Sequence, residues 1–467
     1  MTETPPGEND MTNDKTHHKS MKNLQLKARL ATMNFLEFAV WGAYLISMGM
    51  FLGNHGLGNK VFWFYTVQGL VSIFMPALIG IVADRWIPAQ ITLSLCHFLA
   101  GGFMIATGAV AASQLAAGGT LEFGTIFTLY TLSVAFFMPT IGLSNSVAFN
   151  GLEKNGLSTV NDFPPIRTLG TVGFICAELF VNFVFIGGTA IQHSYTQFYV
   201  SGILSVMLAA YCLTLPSCPI NRQGGRSLVD ALGLKAFTLF KRKDMAIFFV
   251  FSMLLGVSLQ ITNSYGSSFI YHFSKVPGFS EDWWAQNATF LISISQCAEA
   301  LCILAIPFCL KRFGIKGVML MAMFAWVLRF GFFGIGDTGS SVVFLILSCI
   351  VYGVAFDFFN VSGGLYVDLK TSRAQRSSAQ GLFMLMTNGI GASLGTFIAG
   401  TCVVNRLVNA PGLDAVQQLD GWRESWFIFA GYALIVAVLF MFIFKEKKDD
   451  ITHSETEHSE DQPDDAI

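Results

Sequence analysis

Residues 342–367 read VVFLILSCIVYGVAFDFFNVSGGLYV, an unbroken apolar run with one acidic residue, Asp357, set among Ala355, Phe356, Phe358 and Phe359. As a helix the run is about 39 Å long, more than the roughly 30 Å a bilayer's hydrocarbon core requires. Barrel strands would be short, alternate in polarity and be separated by turn signals. The rest of the chain has the same character. Of 467 residues, 53% are hydrophobic and 12% charged, with a mean hydropathy of +0.55. Soluble domains carry about a quarter charged residues. The chain is therefore read as an all-α integral membrane protein.

Working outward from 342–367, eleven further runs predict spans over 27–52, 61–83, 91–113, 123–145, 164–187, 196–217, 245–271, 287–310, 317–336, 379–404 and 425–444. Basic residues remain on the cytoplasmic side. With the N-terminus inside, 22 of the 28 fall on inner segments, Lys60, Lys275, Arg406 and Arg423 on outer ones, and Arg167 and Arg329 within spans. The asymmetry predicts twelve spans with both termini cytoplasmic. A disordered N-terminal tail over 1–25 leads into six spans over 26–217, a cytoplasmic central loop over 218–244, six spans over 245–444 and an acidic tail over 445–467. Two six-helix bundles around a central site are a common plan of secondary transporters.

Other classes are disfavoured. A net charge of −2 gives no reason to expect nucleic acid, and topology accounts for the basic loops. The nine cysteines contain no C-x-x-C pair, and the eight histidines are scattered, with His97 alone inside a span. That pattern predicts no disulfide framework, no metal, no cofactor and no enzyme.

Charged and amide side chains inside a membrane are costly and mark function or pairing. Asp357 lies about 22 Å from the outer end of its span, beyond the reach of snorkelling. Asn360 shares its face, and Tyr352 lies five positions earlier. Gln296 and Glu299 in SISQCAE, and Gln260 and Asn263 in LQITN, are pairs at i, i+3, each on one helical face. Such pairs provide donors and acceptors for a polar ligand, or hydrogen bonds between helices. In DFPPIRTLGTVGF (162–174), Asp162 or Asn161 is expected to cap a helix whose first turn holds the prolines. Arg167, Thr171 and Phe174 follow as one stripe. Glu37 either lines the same cavity or pairs with another helix, Arg329 is expected to support structure beside an acid, and Glu178 is unassigned. Gly389, Gly391 and Gly395 permit close packing or bending.

The loop GIVADRW (80–86) resembles the G-x-x-x-D-R signature of the major facilitator superfamily, although IPAQ replaces the usual basic continuation. The ordered motifs FMPALIGIVADRW, DFPPIRTLGTVGF, MAIFFVFSMLLGVSLQITNSYG, SISQCAEALCILAIPF, AWVLRF, IVYGVAFDFFNVSG and SSAQGLFMLMTNG resemble the bacterial nucleoside:proton symporters of that superfamily, from about residue 21 to about 446. The resemblance implies nucleoside import by alternating access in the inner membrane, coupled to protons, by a chain working as a monomer. It implies a site formed by Arg167, Thr171, Phe174, Gln260, Asn263, Gln296, Glu299, Tyr352, Phe356 and Asp357, with Asp357 and Glu299 as proton-coupling candidates and Asp84 and Arg85 as gating residues. The expected partners are nucleosides, protons and the bilayer. A sugar or oligosaccharide carrier of the same fold, or a nucleoside receptor that does not transport, are the alternatives.

Overall fold

The computed structural model describes residues 8–220, 234–371 and 376–445, which are almost entirely helical. The long helices are α1 (Glu8–Gly42), α2 (Val61–Arg85), α3 (Ala89–Ala116), α4 (Phe123–Lys154), α5 (Thr159–Phe183), α6 (Thr196–Cys212), α7 (Lys243–His272), α8 (Ala288–Cys302), α9 (Ile306–Ile335), α10 (Val342–Lys370), α11 (Ser378–Leu407) and α12 (Ala415–Ile443). Among the described residues the strand content is a ribbon of two short strands, Phe185–Ile186 against Thr189–Ala190.

Nine helical stretches among the described residues are long and apolar enough to cross a membrane. The 17-residue α6 is shorter, and α1 carries the basic and amide residues Lys22, Asn23, Lys27 and Arg29 along its middle turns. One of the nine stretches, Ala288–Ile335, has 48 residues, which as a straight helix would measure about 72 Å. It breaks at Gly314, whose φ of +69° and ψ of 176° lie outside the helical region. Glycine adopts such a conformation without the clash a Cβ would bring.

Two helix starts differ from expectation. α1 begins at Glu8, so residues 8–25, expected as a disordered tail, continue the first helix; no glycine or proline interrupts the sequence from Glu8 to Trp41. Extending an existing helix costs far less than nucleating one. α5 begins at Thr159 rather than near 164. Its cap is Ser158, which accepts from the Asn161 amide at 3.3 Å, while Asp162 accepts from the Ser158 amide at 2.9 Å. Pro164 and Pro165 therefore lie inside the helix rather than in its first turn. The acidic C-terminal tail beyond residue 445 and residues 221–233 of the central loop lie outside the described residues.

Packing divides the chain into two compact units. The first comprises the chain up to Leu45, Met75–Gly118 and the segment from Gly124 to the central loop; the second comprises Ile46–Phe74, Gly119–Phe123 and the chain after that loop. In the first unit, Leu30, Leu93, Val147, Leu152, Leu208 and Cys212 form a fully buried core. The core of the second is aromatic: Trp426 meets Phe333 at 4.8 Å, Phe269 at 5.6 Å and Phe330 at 6.0 Å. Aromatic pairs at these separations add stability beyond the area they bury.

Candidate functional site

In the second unit the expected residues lie on α7, α8 and α10. Gln260 is buried, and Asn263 Nδ2 donates to its Oε1 at 3.2 Å, so the i, i+3 amides of α7 interact directly. On α8, Gln296 is buried with an Oε1 that accepts no hydrogen bond from the described residues, and Glu299 is half-buried one turn later. On α10, Tyr352 and Phe356 stack with centroids 5.7 Å apart and planes 7° from parallel. Asp357 is buried beside them, and the Cys302 thiol at the end of α8 lies within its electrostatic reach.

The close approach of α8 and α10 depends on Gly353. A Cβ there would sit 2.6 Å from the Ala298 carbonyl oxygen, too close for any larger residue unless the backbone moves. This contact sets the Gln296–Glu299 turn against the Tyr352–Asp357 turn.

Arg329 on α9 reinforces the arrangement, though differently from expectation. Instead of an acid, its Nη1 donates to the Ser348 carbonyl at 2.9 Å and to Ser295 Oγ at 3.3 Å, and its guanidinium lies 4.3 Å from the centroid of Tyr352. Ser348 Oγ donates back to the Arg329 carbonyl at 2.8 Å. A planar, weakly hydrated guanidinium suits such stacking, whereas an ammonium does not. Arg329 thus ties together the residue before Gln296, the aromatic Tyr352 and its own helix.

A small cleft opens against the same segment of α10, lined by Phe356, Asn360, Trp326, Thr387 and Asn388 among others. Asn388 and Thr387 were not among the expected site residues. They lie in a π-helical turn, Leu385–Gly391, and Asn388 Oδ1 is buried without a hydrogen bond from the described residues. Wide turns of this kind recur at functional sites. The available signal was TNG, an amide beside a glycine in an otherwise apolar span.

In the first unit the stripe on α5 lies along α1. The Arg167 guanidinium sits 4.0 Å from the Phe38 centroid, and Phe174 meets Trp41 edge-on at 6.2 Å and 86°. Arg167 and Thr171 are half-buried, Phe174 buried. Trp41 also touches Phe137 on α4 at 6.1 Å. Asp84 is exposed and Arg85 half-buried at the last turn of α2. Glu37, undecided from sequence, pairs with other helices: its oxygens meet His97 Nε2 at 2.7 Å and Thr140 Oγ1 at 2.5 Å.

Comparison with known proteins assigns these helices to a family. The family model described as "Nucleoside H+ symporter" matches residues 24–449. The chain is 42% identical to the xanthosine permease of Escherichia coli (strain K12) over 430 residues, 91% of this chain and 97% of that protein. It is also 42% identical to the nucleoside permease NupG of the same organism over 428 residues, again 91% and 97%. The crystal structure of the nucleoside transporter NupG superposes with a TM-score of 0.80 at 40% identity, covering 90% of this chain and 100% of that one. The match spans most of the chain, and the chain belongs to the nucleoside H+ symporter family.

Proposed function

We propose that this protein imports nucleosides, purine, pyrimidine or both, by proton symport and alternating access. One observation carries the reading: on α7, α8 and α10, hydrogen-bonding amides and the buried acid Asp357 accompany a stacked aromatic pair. A nucleoside asks for that combination. Its flat base is met by stacking on Tyr352 or Phe356, and its base edge and ribose hydroxyls by the donors and acceptors of Gln260, Asn263, Gln296 and Glu299. Gln296 Oε1 is an acceptor awaiting a donor, and buried groups of that kind call for an explanation.

Arg167, Thr171 and Phe174 on α5 also bind the nucleoside in this reading. Asp357 and Glu299 carry a coupling proton, with titrations that belong to the pair rather than to either acid. Asp84 and Arg85 act in gating. The chain crosses the inner membrane twelve times with both termini in the cytoplasm, as two six-helix bundles, and works as a monomer without catalytic chemistry. Helices at all twelve expected spans and the basic-residue asymmetry support that topology.

Uptake of labelled uridine into proteoliposomes, with and without an imposed inward proton gradient, tests the proposal. Accumulation against the uridine gradient only when the proton gradient is present is expected. Uptake that ignores the gradient contradicts symport.

A further inference from the structure

Glu37 on α1 and His97 on α3 are both fully buried, and none of the substrate residues proposed above is part of their network. Glu37 Oε2 lies 2.7 Å from His97 Nε2. Thr140 Oγ1 on α4 lies 2.5 Å from Glu37 Oε1, and Ser205 Oγ on α6 lies 3.1 Å from His97 Nδ1. Four helices of one unit thus contribute a side chain each to a closed polar network.

Counting hydrogens shows what the network holds. Ser205 Oγ has a second acceptor, the His97 carbonyl at 2.9 Å, and Thr140 Oγ1 has one in the Phe137 carbonyl at 2.6 Å. When Ser205 donates to the carbonyl, it accepts from Nδ1–H. A single proton then lies between Nε2 and Oε2, and the pair is neutral as a whole, whichever atom carries it. When that proton leaves to water, the imidazole changes tautomer: Nε2–H donates to the carboxylate, Nδ1 accepts from the Ser205 hydroxyl, and Thr140 donates to Glu37 Oε1. Both states keep every polar atom bonded. They differ by one proton and one buried negative charge, and a buried charge is stable only where solvent or a cation compensates it.

The surrounding ionisable groups leave that charge to the pair. No acidic or basic side chain lies on α3 or α6 apart from His97 itself, and α4 has none before Glu153 and Lys154 at its end. α3 and α6 bring the thiols of Cys96 and Cys212, both within electrostatic reach of Glu37. α5 brings Arg167, stacked on Phe38, and the buried Glu178. On α1 the nearest other charge is Arg29, about two turns away.

We propose that the Glu37–His97 pair is a proton-binding site whose loading and release couple transport to the proton gradient, separate from the carboxylates of α8 and α10. The proposal rests on the symport reading. It is tested with purified full-length protein in proteoliposomes with a pH dye trapped inside, comparing wild type with Glu37→Gln and His97→Asn. The amide introduced by Glu37→Gln would keep the shape of the side chain and the bond from Thr140 but hold no extra proton.

Wild type is expected to acidify the lumen as uridine enters, and to accumulate uridine by about tenfold per pH unit for each proton that moves with it. Both variants are expected to retain uridine counterflow at equal pH, to acidify the lumen less per uridine by one proton, and to lose the corresponding factor of accumulation. A variant that performs counterflow and still acidifies and accumulates as wild type does overturns the proposal; His97→Asn decides the matter if Glu37→Gln does not fold. Wild type that performs counterflow without lumen acidification overturns the symport reading itself, and this proposal with it.

Discussion

Glu37 and Asp357 are both acids buried in helices of a membrane protein, yet their surroundings differ in kind. Glu37 has each oxygen beside a side chain of its own unit, His97 at 2.7 Å and Thr140 at 2.5 Å. Asp357 lies next to a stacked aromatic pair, with Gln296 on the adjoining helix carrying an open acceptor oxygen and a cleft against Phe356 one residue away. A closed network is suited to holding a proton. An open one is suited to a ligand that brings its own donors and acceptors. The cost of burying a carboxylate is the same physical quantity in both places, but what offsets it differs.

That contrast is most exposed to failure at Asp357. Replacing it with Asn removes a charged acceptor, and hydrogen bonds to charged groups are worth about 1.5–3 kcal/mol, so initial rates of labelled uridine uptake should fall by about 10- to 100-fold. Wild-type rates at every pH would remove Asp357 from the site. Gly353→Val tests whether the geometry of the open region depends on the α8–α10 contact. Overpacking against the Ala298 backbone should cost about 1–3 kcal/mol, read as a lower thermal midpoint in detergent together with weaker uridine binding. Gln296→Leu should weaken uridine binding by about 1 kcal/mol, close to the net worth of one hydrogen bond, and leave the thermal midpoint intact or raised, since the amide oxygen accepts from none of the described residues. A fall in the midpoint instead would assign Gln296 to holding helices. The smallest effect belongs to Lys27→Met. Its contact with Asp162 is part-exposed, and pairs of that kind contribute little, so uptake and midpoint should both match wild type.

The all-helical class was readable because apolar length is a strong signal: nine helical stretches among the described residues are long and apolar enough to cross a membrane, and the longest of them breaks at Gly314. Boundaries were less so. The start of α5 hinged on Ser158, whose capping role depends on backbone geometry, and the two prolines drew the expected start one turn too late. Much of the candidate site was legible, because i, i+3 amides and an acid in an apolar run are local patterns. The amides of α7 do interact, and Tyr352 and Phe356 do stack.

Partners distant in sequence were not legible. His97 is 60 residues from Glu37, so although it alone of the histidines falls inside an expected span, nothing local names Glu37 as its partner. Arg329 looked in need of an acid, whereas its contacts are a serine, a carbonyl and a tyrosine face. The π-helical turn that positions Asn388 requires an inserted residue in the helical register, which composition does not reveal.

The most direct measurement of the central claim is the steady-state ratio of internal to external labelled uridine in proteoliposomes held at a fixed inward pH gradient. The account predicts a ratio well above one that returns to one when a protonophore collapses the gradient. A ratio of one in the presence of the gradient, in vesicles that exchange uridine freely, would contradict it.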